Sequence, residues 1–178
     1  MSRIMETWAA LQREATAPDY DTQQYALFQV ALVLERHSAP NPDADYYADH
    51  LSRDLLRLVL DARRQRDTVD MLVGIVRANL QQSASAFYAL SKATPDVMAQ
   101  PLLQLLKAVG KKLPPNAAYE AVQALDAVIK TETDATQAAL AQHQVGTWLE
   151  RWIDAEDERL SIKAEHVHAR WQQRIGAA

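Results

Sequence analysis

The acid, base and cation chemistry of this sequence concentrates between Arg159 and His168. Glu165 and His168 stand three positions apart, a spacing that lets a carboxylate and an imidazole leave one helix face toward a shared metal ion. A full centre of that kind needs a second Glu-x-x-His and further carboxylates. Leu34, Tyr47, Leu140 and Lys163 precede the other four His by three, so no second copy exists. With 23 acidic residues and five His in 178 positions, composition alone gives about 0.6 acid-x-x-His occurrences. Glu165 and His168 are therefore expected to be polar residues on a solvated helix flank, and no cofactor is expected.

Arg159 and His166 lie seven apart, which places them on one face of a helix. This Arg-x6-His resembles the motif near the last helix of helical ribonucleases of the HEPN class. The resemblance implies an RNA-cleaving site built on Arg159 and His166. It spans these two residues, and Leu160 occupies the neighbouring position where that class carries a polar residue.

Two other polar groups have simpler readings. Asp43, Asp45, Asp49, His50 and Asp54 have ligand chemistry for a hard cation, yet carboxylates at a helix N-terminus are already favoured by the helix dipole. Arg53, Arg57, Arg63, Arg64 and Arg66 form the densest basic stretch, diluted by Asp54, Asp61 and Asp67. A net charge of −4 offers a polyanion no overall attraction, and no recognition helix can be located, so no nucleic-acid partner is expected.

Whole classes of chemistry are missing. The chain has no Cys, which removes thiol nucleophiles, thiolate metal sites and disulfides. Its four Gly stand singly at 74, 110, 146 and 176, so glycine-rich phosphate loops and the strained turn of a nucleophilic Ser are absent. The opening residues Met1 to Trp8 are interrupted by charge too early for a signal-peptide core, and no run of about 18 apolar residues occurs. A cytoplasmic address without a transmembrane segment is expected.

The elements that must carry these residues read as helices throughout. Helix formers dominate, and the seven Pro fall where apolar periodicity breaks. A first helix is predicted over about 2–16 and a second from Asp21, with Asp21 as its cap and Gln24 reaching back. A third, over about 43–65, aligns Tyr47, Leu51, Leu55, Leu58 and Ala62. Asp67 or Thr68 is predicted to cap a fourth that runs to about Lys92. Thr94-Pro95 is a helix start, Pro101 a restart or kink, and Asn116 the opening of another helix that carries Tyr119, Val122, Leu125 and Ile129. Phe87 and Pro95 fit the second helix of a tetratricopeptide repeat, but Met71 and Gly74 occupy the small and aromatic positions of the preceding one, so no solenoid is expected.

The stretch 133–176 contains no Pro and three of the four Trp. As one helix it would reach roughly 60 Å; alternatively it breaks at Asp154–Asp157 and folds back on itself. Its apolar line includes Trp148, Trp152, Leu160, Val167 and Trp171. If unbroken, that line exceeds what one antiparallel neighbour covers and is expected to serve as an oligomer interface.

The sequence thus predicts a single all-α domain over 1–178, a bundle of six to eight helices with a long C-terminal helix or helix pair. The expected function is non-catalytic, as a scaffold, adaptor or regulator that contacts itself as a homo-oligomer and an unidentified protein partner. The alternatives are an enzyme with an RNA or metal site around Arg159, Glu165, His166 and His168, and an amphipathic coat on lipid or an apolar inclusion.

Overall fold

The computed structural model describes residues 3–38 and 62–176, and these contain nine α-helices and no strand. The predicted helix over 43–65, the acidic group Asp43 to Asp54, and Arg53 and Arg57 lie outside the described residues or reach them only at their ends.

Helices α1 (Arg3–Ala15) and α2 (Tyr20–Ser38) pack against each other. The cap of α2 is Asp19 rather than Asp21. Its Oδ2 accepts the Thr22 amide at 2.9 Å, and hydrogen bonds from Thr22 hold the Asp19 carboxyl below its ordinary value.

Helix α3 (Ala62–Ala78) runs straight through the boundary predicted at Asp67–Thr68. Gln65, Thr68, Val69, Leu72, Ile75 and Val76 are all buried and keep helical spacing across that point, so one continuous packed face overrides the local capping signal. The helix ends well before Lys92. Asn79 is extended, a short 3₁₀ turn occupies Leu80–Gln82, and Ser83 Oγ donates to the Leu80 carbonyl at 2.7 Å before α4 (Ala84–Leu90) begins.

Thr94-Pro95 opens α5 (Pro95–Val109) as predicted, with Pro95 in the first turn, where its missing N–H costs nothing. Pro101 sits inside α5 without restarting it, because Met98, Ala99, Leu102, Leu103, Leu105 and Leu106 are buried on either side and hold the helix in place. Helix α6 (Pro115–Lys130) starts one residue before Asn116 and is the central strut. It packs on α4, α5 and the last helix, and its Ala117, Ala118, Ala121 and Ala124 are buried, letting neighbouring backbones approach closely.

The stretch 133–176 folds as three helices: α7 (Asp134–Ala141), α8 (Val145–Ile153) and α9 (Glu158–Gly176). Thr133 and Thr136 form a reciprocal capping box for α7. The acidic run supplies the turn between α8 and α9. Asp157 Oδ1 accepts the Leu160 amide at 2.8 Å, and Ser161 Oγ donates to the Ile153 carbonyl at 2.6 Å. The C-terminal segment is therefore a helix pair, α8 and α9, preceded by a short helix.

This arrangement corrects the expectation of a free apolar stripe. Trp148 (8% exposed), Trp152 (5%), Leu160 (3%) and Val167 (0%) are buried within the chain, because the turn folds the two halves of the stripe against each other and α9 packs on α6. The apolar residues of α5 and α6 that a lipid coat would need, among them Leu102, Leu105, Val122 and Leu125, also lie in the core. Among the described residues, no helix is long and apolar enough to cross a membrane.

Candidate functional site

Helices α6 and α9 run parallel, as three side-chain ties in matching order show. Arg159 lies over the Tyr119 ring, 3.9 Å from its centroid. Further along, Arg170 Nε meets the buried Asp126 Oδ1 at 2.8 Å. At the far end, Arg174 Nη1 donates to the carbonyls of Ile129 at 2.5 Å, Thr131 at 3.0 Å and Val128 at 3.3 Å, which closes the C-terminus of α6 with a cation.

Beside the first tie lies an open, shallow cleft of about 520 Å³, lined by Tyr119 of α6 and by Glu158, Arg159, Ile162, Lys163 and His166 of α9, of which Glu158, Arg159, Ile162 and His166 are exposed. The heptad spacing of Arg159 and His166 does bring both to this one cleft, and Lys163 joins them one turn after Arg159. Among the described residues the ion pairs are Lys92 with Glu35, Asp126 with Lys130 and Arg170, and His168 with Glu150, so neither Arg159 nor Lys163 is tied to a carboxylate. Glu120, beside Tyr119 on α6, accepts from Gln123 Nε2 at 3.0 Å. Partial burial pushes its carboxyl above the ordinary value, against the opposing pull of that bond and of Arg159, Lys92 and Lys163.

Glu165 and His168, the residues of the metal alternative, do not face a common partner. Glu165 is exposed, and His168 Nε2 faces Glu150 Oε1 of α8 at 3.7 Å. Among the described residues, no group of three His, Asp or Glu could hold a metal ion.

The distal end of α9 carries a second feature. Trp171 is half-buried and Ile175 is 51% exposed, and open grooves flank them on both sides. One groove, of about 520 Å³, includes Glu132, Gln137, Leu140 and Ala141; the other, of about 430 Å³, includes His143, Gly146, Glu150 and His168. The His143 ring is tilted against Trp148 with centroids 5.7 Å apart. Burial, followed by the charge of Lys107, lowers the His143 pKa from 6.5.

Sequence reasoning identified Arg159, His166 and Trp171 but missed Tyr119, Glu120 and Lys163 as parts of one site, and Arg170 and Arg174 as ties. The Arg159, Lys163, His166 spacing was a usable signal for one wall; the opposing α6 wall has no local signature in the sequence. No protein-family model matches the chain, and no curated protein sequence does.

Proposed function

We propose that this protein acts by contact rather than catalysis, as a helical scaffold or regulator that forms a homo-oligomer through the distal end of α9. One observation carries the reading. Of the aromatic stripe, the chain buries Trp148, Trp152, Leu160 and Val167 in its own core, yet leaves Trp171 and Ile175 at the surface between two grooves. Trp is enriched among the residues that anchor protein interfaces, and grooves on both sides provide receiving surface for the same anchor from a second copy, as two-fold contacts require.

The test is native mass spectrometry combined with light scattering of the full chain, comparing wild type with Ile175→Asp and Trp171→Ala. An oligomer that dissociates in both variants while circular dichroism is unchanged supports the reading. A wild-type monomer at tens of micromolar overturns the self-contact.

A second reading is favoured by the placement of Arg159 and His166 on one cleft, the arrangement expected of an RNA-cleaving pair. Against it, Glu158 lines the same cleft with a charge that repels RNA phosphates. Cleavage of end-labelled RNA by wild type and not by His166→Ala would establish this reading; no cleavage by either protein removes it.

A further inference from the structure

We infer that the cleft between α6 and α9 is a binding site for a small phosphomonoester with an apolar or aromatic body. The inference is independent of the contact proposed for the other end of α9. It starts from how Arg159 is held. With the guanidinium over the Tyr119 ring, 3.9 Å from the centroid, the cation–π contact positions the group without using its N–H donors. No hydrogen bond or ion pair within the described residues occupies those donors. A planar donor fork that is held in place and left unfilled matches the oxygens of a phosphate or carboxylate.

Lys163 and His166 line the same cleft from the same helix, four and seven positions on. Three nitrogen-bearing side chains around one opening suit the three terminal oxygens of a phosphomonoester better than the two of a carboxylate. Glu158 on the rim and Glu120 behind it repel a dianion more than a monoanion, so the preference for a phosphomonoester rests on the number of donors around the opening. Ile162 lines the cleft and is 46% exposed, an apolar surface that an anion alone would leave wet.

The probes are phenyl phosphate, inorganic phosphate, benzoate and a short single-stranded RNA, each titrated into isotopically labelled full-length protein and followed by amide chemical shifts. Phenyl phosphate is expected to saturate, with shifts centred on Tyr119, Arg159, Ile162, Lys163 and His166, and to bind more tightly than inorganic phosphate or benzoate. Lys163→Glu should weaken it at least about tenfold, the loss of one charge-assisted contact. Lys107→Glu, which changes net charge equally on α5, should leave it unchanged. Tyr119→Leu should weaken binding although every cation remains, and Tyr119→Phe should preserve it, because the ring rather than the hydroxyl seats Arg159.

Three results would overturn the inference. Equal losses in Lys163→Glu and Lys107→Glu would reduce the effect to net charge. Phenyl phosphate shifts that never saturate would mean there is no built site. RNA that binds the same residues more tightly than phenyl phosphate would assign the cleft to nucleic acid.

Discussion

Replacing Arg174 by Ala should destabilise the fold by about 2 kcal/mol. The guanidinium Nη1 faces three carbonyls at the end of α6, and Nη2 reaches Thr136 Oγ1 at 3.4 Å. Loss of a hydrogen bond to a charged group costs about 1.5–3 kcal/mol, and a cation at a helix C-terminus adds about 0.3–1 kcal/mol. Recovered side-chain entropy and water reaching the freed carbonyls offset part of this. For a chain of 178 residues, about 2 kcal/mol corresponds to a fall in melting temperature of roughly 4–8 °C. Urea and thermal unfolding followed by circular dichroism measure both values. Arg174→Lys should recover only part of the loss, because a single ammonium cannot reproduce the planar fork, and Arg13→Ala on exposed α1 surface should stay within about 0.5 kcal/mol. If Arg174→Ala also stays within that margin at an unchanged denaturant slope, water serves the carbonyls as well as the guanidinium does and the cap has no energetic weight.

Three further outcomes are expected. A Cβ on Gly146 would lie 3.1 Å from Trp171 Nε1 and 3.6 Å from its Cδ1, so Gly146→Ala should move the half-buried indole and shift the Trp171 Nε1–H resonance while changing stability by less than about 1 kcal/mol; an unmoved resonance would contradict the close approach of α8 to α9. Burial raises the Glu120 pKa above 4.5, so its favourable contribution is present when protonated and lost as pH rises through the folded value. Glu120→Gln should therefore raise the urea midpoint at pH 7, and the gain should vanish below pH 4.5. The His143 pKa is lowered from 6.5, so the neutral ring is the form that the fold accepts. Its contribution is present above pH 6.5 and declines as pH falls through the folded value, and His143→Gln should flatten stability over that window, read from tryptophan fluorescence.

Much of this architecture was legible because it is written in local chemistry. Thr94-Pro95 marked the start of α5, and the run Asp154–Asp157, with no large apolar residue, offered the turn before α9 as one of two alternatives. Thr68 misled because its hydroxyl suits a cap, whereas its place on a continuous buried face decided its state. The stripe from Trp148 to Trp171 was correctly identified as apolar, but periodicity cannot say whether such a surface meets another chain or its own other half; the intervening turn buries Trp148, Trp152, Leu160 and Val167 against their own chain. The candidate cleft was half visible. Arg159, Lys163 and His166 share a helix and so share a spacing, while Tyr119 comes from a helix about forty positions earlier, and only tertiary packing reveals their juxtaposition.

The parallel pairing of α6 and α9 also constrains how the chain reaches its native state. Antiparallel neighbours such as α8 and α9 join across a short turn and can form as a local unit. Parallel helices need a crossover, here built from α7 and α8, and the bonds from Arg174 to Val128, Ile129 and Thr131 close sequence separations of 46, 45 and 43 residues. Such contacts yield energy only after the loop-closure entropy has been spent. The α8–α9 hairpin is thus expected to be structured in the folding transition state, with substitutions there slowing folding, whereas loss of the Arg170 or Arg174 ties should chiefly speed unfolding.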